Sequence, residues 1–272
     1  MSYVPLTPLD LALAAALLLV NAAVSWLFTL RLERTLAIAA LRMVVQLALI
    51  ALVLKFIFAQ TSPVWTLLLA LVMVSAAGVE VMTRQHRRLG GWQPWALSTA
   101  TLLFIGLAIT GLGVGVIVGP EPWYAPRYVL PILGMVLGNT MTAMSLVLDT
   151  FSETASRERA AVEARLALGA RRFEAMSGVL HVALRTGMVP ILNAMATAGI
   201  VALPGMMTGQ ILAGVDPVDA AKYQVLIMFL IASATALGAF CTGLGAVLLL
   251  TDGRHRLRLD RLSPPAGAQS HP

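Results

Sequence analysis

Seven apolar runs divide this sequence, and each is long enough to cross the hydrocarbon core of a bilayer, which is roughly 30 Å thick. In chain order they are Leu11–Leu30, Leu36–Phe58, Val64–Met82, Ala96–Val118, Tyr128–Leu148, Thr186–Leu203 and Tyr223–Leu250. No basic segment precedes the first run, so we interpret it as a retained helix rather than a signal peptide. The pattern predicts an all-α integral membrane protein with about seven transmembrane helices.

The composition excludes several other classes of protein. Of the 272 residues, 58% are hydrophobic and 12% are charged, whereas a soluble domain carries about 25% charged residues. So little charge cannot cover a water-facing surface on a chain of this length, which argues against a soluble enzyme and against a disordered protein. One cysteine, Cys241, allows neither an internal disulfide nor a CxxC metal site.

Basic residues alternate between the connections and predict the orientation of the chain. The richer set of connections, with the C-terminal tail, holds Arg31, Arg34, Arg84, Arg87, Arg88, Arg157, Arg159, Arg165, Arg171, Arg172, Arg254, Arg256, Arg258 and Arg261. The opposite set holds Arg127 and Lys222. Because cytoplasmic loops carry the excess of Lys and Arg, we expect the N-terminus outside and the C-terminus in the cytoplasm. The net charge of +6 is then a topology signal, and we expect no nucleic-acid partner.

We expect one transmembrane domain over residues 1–262 and a disordered cytoplasmic tail over 263–272. The longest cytoplasmic connection runs from about residue 150 to 184. Ser152 or Thr154 could cap a helix there, and Gly169 suggests a bend or a close backbone approach. One apolar face is formed by Val162, Leu166, Phe173 and Met176. From the residues alone, this amphipathic helix either lies on the membrane surface, with its arginines at anionic lipid, or serves another role.

Polar residues inside the spans are costly in lipid and tend to face a bundle interior or a transport pathway. Arg42 and Gln46 share one helix face, and either Glu80 or Asp149 could neutralise Arg42. These residues form either a structural ion pair or part of the pathway. Asn139 and Asn193 lie deeper, where each could hydrogen-bond between helices or line the path.

Methionines concentrate in the fifth and sixth spans and the loop that follows. They are Met135, Met141, Met144, Met188, Met195, Met206 and Met207. They are either flexible core fillers or part of a metal path, and the sequence has no His, Cys or carboxylate cluster with obvious metal-binding spacing. Pro204 and Gly205 are expected to end the sixth span. The following segment is either an outer turn or an extracellular gate with Met206, Met207 and Gln210 at its mouth.

Two motifs carry a family resemblance. Glu163–Ala170 (EARLALGA) resembles the EAA-x-x-x-G loop of ATP-binding-cassette (ABC) transporter permeases, with Arg165 at the position of the second alanine. Met188–Phe229, which contains LPGMMTGQ, closely resembles the FetB-like permease family of bacterial iron-export ABC transporters and the membrane subunits of plant aluminium-tolerance transporters. Further matches are Leu41–Leu47 and Gly138–Met141.

The resemblance implies a transport subunit rather than an enzyme. Because the sequence lacks GxxxxGK[ST], ATP and Mg would be bound by a separate cytoplasmic ABC ATPase, and this chain would bind no cofactor. Two copies of the chain, in the lipid of a bacterial inner membrane, would pair with two ATPases and export iron or a related metal by alternating access. Export of a sugar nucleotide or another organic solute is the alternative within the family. An ATP-independent secondary carrier or channel is the alternative from another class.

The expected site residues fall into two sets, and the metal ligands are left unassigned. The ATPase-coupling residues are Glu163, Ala164, Gly169, Arg171, Arg172, Phe173 and Met176. The candidate path residues are Arg42, Gln46, Glu80, Asn139, Met141, Met144, Asn193, Met195, Met206, Met207 and Gln210.

Overall fold

The computed structural model describes residues 7–29, 32–60, 62–85, 90–254 and 256–263. Their α-helices are α1 (Pro8–Leu27), α2 (Glu33–Phe58), α3 (Pro63–Thr83), α4 (Gln93–Gly111), α5 (Pro126–Arg157), α6 (Arg159–Ala167), α7 (Arg172–Ala175), α8 (Ser177–Thr197), α9 (Gly205–Leu212) and α10 (Pro217–Leu249). A π-helix, Leu112–Val118, continues α4. Seven of these helices are long and apolar enough to cross a membrane. The predicted class and span count are confirmed.

The chain divides into two compact units, Met1–Thr61 and Ser62–Pro272. In the first unit, the side chains of Thr7 and Asp10 form a reciprocal capping box at the start of α1. At the other end of α1, the Ser25 hydroxyl donates to Glu33 at 3.0 Å and accepts from the Leu32 amide at 2.9 Å. These bonds fix the turn between α1 and α2.

In the second unit, α10 packs against α4, α5, α8 and α9. Small residues allow this close packing. A Cβ atom at Gly243 would lie 2.7 Å from Leu180 of α8, and one at Gly187 of α8 would lie 3.0 Å from the carbonyl oxygen of Ala143 on α5. The glycines therefore let the backbones approach where a larger side chain would hold them apart.

Two predicted span boundaries, on either side of the longest connection, are wrong. α5 continues to Arg157 rather than ending near residue 148, and α8 begins at Ser177 rather than at residue 186. Ser152 and Thr154 are buried inside α5, so neither caps a new helix. The reason is that Phe151 and Ala155 continue the buried face of α5. Hydropathy marks the membrane-crossing part of a helix, whereas packing decides where the helix ends.

The C-terminal end of the sixth span differs from the prediction as well, because the helix ends earlier than expected. α8 ends at Thr197, and a turn follows in which Gly199 adopts φ +82°. Pro204 caps the start of α9, and Gly205 is the first residue of that helix. This pair therefore begins a short helix and does not end the sixth span.

After α10, residues 250–254 and 256–262 form a folded segment that we call the C-terminal hairpin. The Arg258 amide donates to the Leu250 carbonyl at 2.9 Å, and the Asp252 amide donates to the Arg256 carbonyl at 3.0 Å. The side chains of Leu257, Leu259 and Leu262 pack against the core. Arg31, Arg87, Arg88 and residues 264–272, most of the tail predicted to be disordered, lie outside the described residues.

Ion pairs also stabilise the hairpin. The Arg258 guanidinium donates two hydrogen bonds to the Asp260 carboxylate, at 2.8 and 2.9 Å, and this pairing lowers the pKa of Asp260 to about 2. The backbone hydrogen bond from the Arg256 amide, with a smaller contribution from that of Arg254, lowers the pKa of Asp252. A carboxylate with a lowered pKa stays ionised until the pH falls to that pKa. We therefore expect both hairpin pairs to persist throughout the physiological pH range.

Candidate functional site

The connection between α5 and α8 is an ordered helix–turn–helix. We call it the coupling segment (Glu158–Met176) after the role that the sequence resemblance leads us to expect. The Glu158 amide still donates to the Thr154 carbonyl at 2.8 Å, and α6 starts at the next residue. On α6, Val162 is 1% exposed, and the half-buried Leu166 packs against the same core cluster one turn later. One face of α6 is thus fixed to the rest of the second unit, and the opposite face is exposed.

Gly169 ends α6 in a Schellman motif. The Ala170 amide donates to the Arg165 carbonyl at 3.1 Å, and the Gly169 amide donates to the Leu166 carbonyl at 3.0 Å. This pattern needs a left-handed residue at the turn, and Gly169 has φ +91°. Nothing lies within 4 Å of where its Cβ would be. The predicted bend is therefore confirmed, and within the described residues no close backbone approach accompanies it.

The turn separates the expected apolar face into two parts. Val162, Leu166 and Met176 face the core, and Met176 is 0% exposed, which removes it from the exposed contact surface where we expected it. Phe173 is 40% exposed. The helical spacing that joined Leu166 to Phe173 is not valid, because the chain reverses at Gly169 between them.

Leu168 is the residue that sequence reasoning missed. It lies at the tip of the turn and is 88% exposed, as much as any large apolar side chain of the described residues. Ala164 and Ala167 on the adjoining face of α6 are exposed as well. Gly169 could have pointed to Leu168. A helix often ends at a glycine in the left-handed conformation, and the residue just before that glycine then lies at the tip of the helix.

Charged groups of the coupling segment are held in place by local bonds. The Arg159 and Glu163 side chains form an ion pair at 2.8 Å on the exposed face of α6. The Arg165 guanidinium donates to the Ala175 carbonyl at 3.3 Å, which ties α6 to α7. Arg171 is exposed, and its backbone amide donates to the Glu174 carboxylate at 3.0 Å. The Arg172 guanidinium lies 5.7 Å from the centre of the Phe173 ring, a cation–π distance that orients both side chains.

A groove separates the coupling segment from the C-terminal hairpin. It has a volume of about 410 Å³ and is lined by Glu163, Leu166, Ala167, Arg254, Arg256 and Leu257. Arg256 pairs with Asp252 at 3.2 Å while its side chain remains 65% exposed. The hairpin thus adds two arginines to the surface that the coupling segment presents.

Replacing Gly169 with valine is expected to open the coupling segment, because a left-handed conformation costs a branched residue about 1–2 kcal/mol. Trypsin should then cleave at Arg165, Arg171 or Arg172 roughly tenfold faster, since proteolysis follows the population of the open form. Asparagine tolerates this conformation, so Gly169→Asn should be cleaved at nearly the parental rate. Equal cleavage rates for the two variants would show that the turn geometry does not hold the segment closed.

The expected path residues divide between the two units. Arg42 and Gln46 lie on α2 of the first unit, where both are exposed. Glu80 lies on α3 of the second unit and forms an ion pair with Arg84, one turn later, at 3.2 Å. Arg84 directly follows α3, so Glu80 has a partner close by in the chain.

Two amide side chains are brought to a similar depth of the second unit. α5 and α8 run antiparallel, and the close approach of Gly187 to Ala143 places Asn139 roughly level with Ile191. Asn193 therefore lies within about one helical turn of that level. Both asparagines are exposed, and Asn139 donates to the Met135 carbonyl at 2.8 Å.

The methionines occupy different environments. Met144 is 0% exposed and packs in the core, with its sulfur 3.5 Å from where a Cβ of Gly238 would lie. Met141 is half-buried against the same cluster, whereas Met195 is 38% exposed. On α9, Met206 and Met207 are half-buried, and Met206 packs against a second cluster centred on Val136 and Ile227.

Gln210 lies on α9 near these methionines, and its buried amide oxygen accepts no hydrogen bond from the described residues. Among the residues that the structure describes, no three His, Cys, Asp or Glu side chains converge as they would around a bound metal ion.

The helices and the exposed coupling segment define a multi-pass α-helical membrane protein. Residues 8–248 match the model of the uncharacterised protein family UPF0014, and the chain belongs to that family. No solved structure matches the chain significantly.

Relatives come from bacteria and plants. The "UPF0014 membrane protein slr1647" of Synechocystis sp. (strain ATCC 27184 / PCC 6803 / Kazusa) is 37% identical over 70% of this chain and 73% of its own. The "Probable iron export permease protein FetB" of Escherichia coli (strain K12) is 30% identical over 93% of this chain and 95% of its own. The "UPF0014 membrane protein STAR2" of Oryza sativa subsp. japonica is 33% identical over 83% of this chain and 77% of its own. The predicted family resemblance is confirmed.

Proposed function

We propose that this chain is the membrane subunit of an ABC exporter, driven by a separate cytoplasmic ATPase, and that it moves iron or a related metal ion out of the cytoplasm. The observation that carries the proposal is the coupling segment, which is ordered, anchored to the core by Val162 and Met176, and apolar at its exposed tip. A rigid element of this kind can transmit force between an ATPase and the helices that it joins.

The chemistry of the segment favours a protein partner. Leu168 and Phe173 present apolar surface beside arginines, and apolar anchors with a charged rim are typical of protein interfaces. The groove beside the C-terminal hairpin, with Arg254 and Arg256 on its wall, is a second part of the proposed docking surface. It suits an acidic or polar element of the ATPase.

The proposed transport path includes polar side chains that are exposed on the surface of a single copy of the chain. Asn139 and Asn193 are exposed at a similar depth, and an amide in contact with lipid is costly. A second copy of the chain would cover these amides or enclose water around them. We therefore propose two copies with two ATPases, alternating between inward-open and outward-open states as ATP binds and is hydrolysed.

Iron is the proposed substrate because a relative that covers nearly the whole chain is named an iron export permease. Exposed amide oxygens and thioethers would bind such an ion weakly, as a transport path requires. The export of a sugar nucleotide or other organic solute remains the alternative within this proposal.

The cell compartment we propose is the bacterial inner membrane, with the coupling segment in the cytoplasm.

The test is the ATPase activity of the chain reconstituted with its co-purified ATPase, compared across Fe²⁺, Mn²⁺, Zn²⁺ and sugar nucleotides. We expect Fe²⁺ to stimulate hydrolysis most strongly. Stimulation by a sugar nucleotide alone would replace the metal with an organic substrate. If the chain binds no ATPase and still transports, it is a secondary carrier or channel, and the ABC assignment is wrong.

A further inference from the structure

A cavity of about 350 Å³ lies at the end of the second unit opposite the coupling segment. Its walls are apolar and come from the first turns of α3, the end of α4 with its π-helix, and the start of α5. Cavities of this volume hold small ligands or parts of larger ones. The cavity contains none of the expected path residues.

The π-helix and two glycines create this space. The Gly119 amide donates to the Val114 carbonyl at 2.9 Å, the five-residue spacing of a π-helix. Gly111 and Gly115 line the cavity, and nothing lies within 4 Å of where a Cβ of either would be. Segments of π-helix occur frequently at functional sites. The local sequence therefore builds an opening where ordinary side chains would fill it.

Two hydroxyl groups in the cavity wall lack hydrogen bonds. Thr66 and Thr110 line the cavity and are 5% and 3% exposed, and neither hydroxyl oxygen has a partner among the described residues. They belong to a set of eight buried serine and threonine hydroxyls of the described residues that have no partner, whereas the hydroxyls of Thr142, Ser145 and Thr251 each donate to the carbonyl four residues earlier. The hydroxyl oxygens of Thr66 and Thr110 are both covered in this conformation, and rotation about the Cα–Cβ bond to another staggered rotamer would bring each of them to the cavity wall. An unsatisfied buried hydroxyl costs about 1–3 kcal/mol.

The depth of the cavity indicates its ligand. Trp123 and Tyr124 line it, with their rings 5.8 Å apart and perpendicular, and such aromatics lie at the membrane–water interface. Pro63, the first residue of α3, also lines the cavity, so Thr66 lies about one turn into that helix. The contact of Gly78 on α3 with Thr99 on the antiparallel α4 places Thr110 at about the level of Thr66. In a phospholipid, the ester carbonyls occupy the boundary between head group and acyl chain.

We propose that this cavity binds one acyl chain of a membrane phospholipid, with its ester carbonyl accepting hydrogen bonds from the Thr66 and Thr110 hydroxyls. The apolar walls enclose the chain, and the carbonyl satisfies donors that the protein leaves without partners. The proposal is independent of the transported substrate and of the ATPase.

Trp123 supplies the signal for the test. The other four tryptophans are replaced by phenylalanine (W26F, W65F, W92F and W95F), and the protein in detergent micelles is titrated with phosphatidylethanolamine brominated on its acyl chains. Bromine quenches nearby tryptophan, so we expect saturable quenching of Trp123. Gly111→Leu adds a side chain that starts from an open Cβ position in the cavity wall, and it should weaken binding about tenfold or more. Gly209→Leu, at an exposed glycine with similar free space, should bind as the parent does.

A second pair of lipids tests the hydroxyls. Thr66→Val combined with Thr110→Val keeps the side-chain shape and should weaken the ester lipid about five- to tenfold, as expected for two lost hydrogen bonds. A brominated dialkyl-ether analogue lacks the carbonyls and should bind parent and double variant equally. Quenching that does not saturate, or that Gly111→Leu leaves unchanged, would mean bulk lipid only and would overturn the site. Equal weakening of ester and ether lipids would overturn the carbonyl contact.

Discussion

Leu168→Asp should weaken binding of the ATPase partner about 30-fold or more while leaving the membrane part folded. Leu168 is 88% exposed, so the free chain loses almost no packing when it is replaced. In the proposed complex the same side chain enters an apolar pocket, and burying an unpaired carboxylate there costs at least 2 kcal/mol. Titration of purified ATPase onto the chain in nanodiscs measures the change.

The matched control is Val215→Asp, in the loop between α9 and α10. Val215 is 39% exposed. The coupling segment lies at the N-terminal end of α8, whereas the loop of Val215 comes after the C-terminal end of α8. It therefore receives the same apolar-to-acid change far from the proposed docking surface, and its affinity should match that of the parent. If Leu168→Asp binds the ATPase as tightly as Val215→Asp does, the turn of the coupling segment is not an anchor.

Gly238→Val should destabilise the second unit more than any exposed substitution. A Cβ at Gly238 would overlap the methyl group of Thr140 on α5, and Thr140 is 1% exposed with no room to move. Overpacking of this kind costs about 1–3 kcal/mol, which corresponds to an apparent unfolding temperature lower by about 5 °C. Thermal unfolding in detergent, followed by circular dichroism, gives the value.

Gly209→Val provides the comparison for this prediction. It introduces the same branched side chain into a helix, but nothing lies within 4 Å of its Cβ position. The difference between the two variants then isolates the contact between α5 and α10. Unfolding temperatures that agree within error would show that the two helices can separate there without cost.

The sequence predicts the class of fold well because lipid imposes a simple rule. Each apolar run became a helix, and each span contains most of its predicted residues. The helix ends were harder to predict, since they depend on contacts that hydropathy does not represent. α5 extends to Arg157 because Phe151 and Ala155 find buried partners on other helices, which no local pattern reveals.

The candidate site, like the fold, could be predicted only in part from the sequence. Gly169 was identified correctly as a bend, because a glycine within a helix-forming run has few other uses. Met176 was expected on the exposed surface and is buried, since helical spacing was extended across the bend. The C-terminal hairpin could not be predicted, because the bonds between Gly90 and Arg261 and between Arg258 and Leu250 join segments without a shared sequence pattern.

Transport of Fe²⁺ into sealed vesicles tests the central proposal most directly. The chain and its ATPase are reconstituted with the ATPase outside, and a fluorescent Fe²⁺ chelator is enclosed within. We predict that Fe²⁺ accumulates only when ATP is added, and that accumulation stops when the ATPase carries a substitution that prevents hydrolysis. Fe²⁺ entry at the same rate without ATP or without the ATPase would contradict the proposal and identify the chain as a carrier or channel.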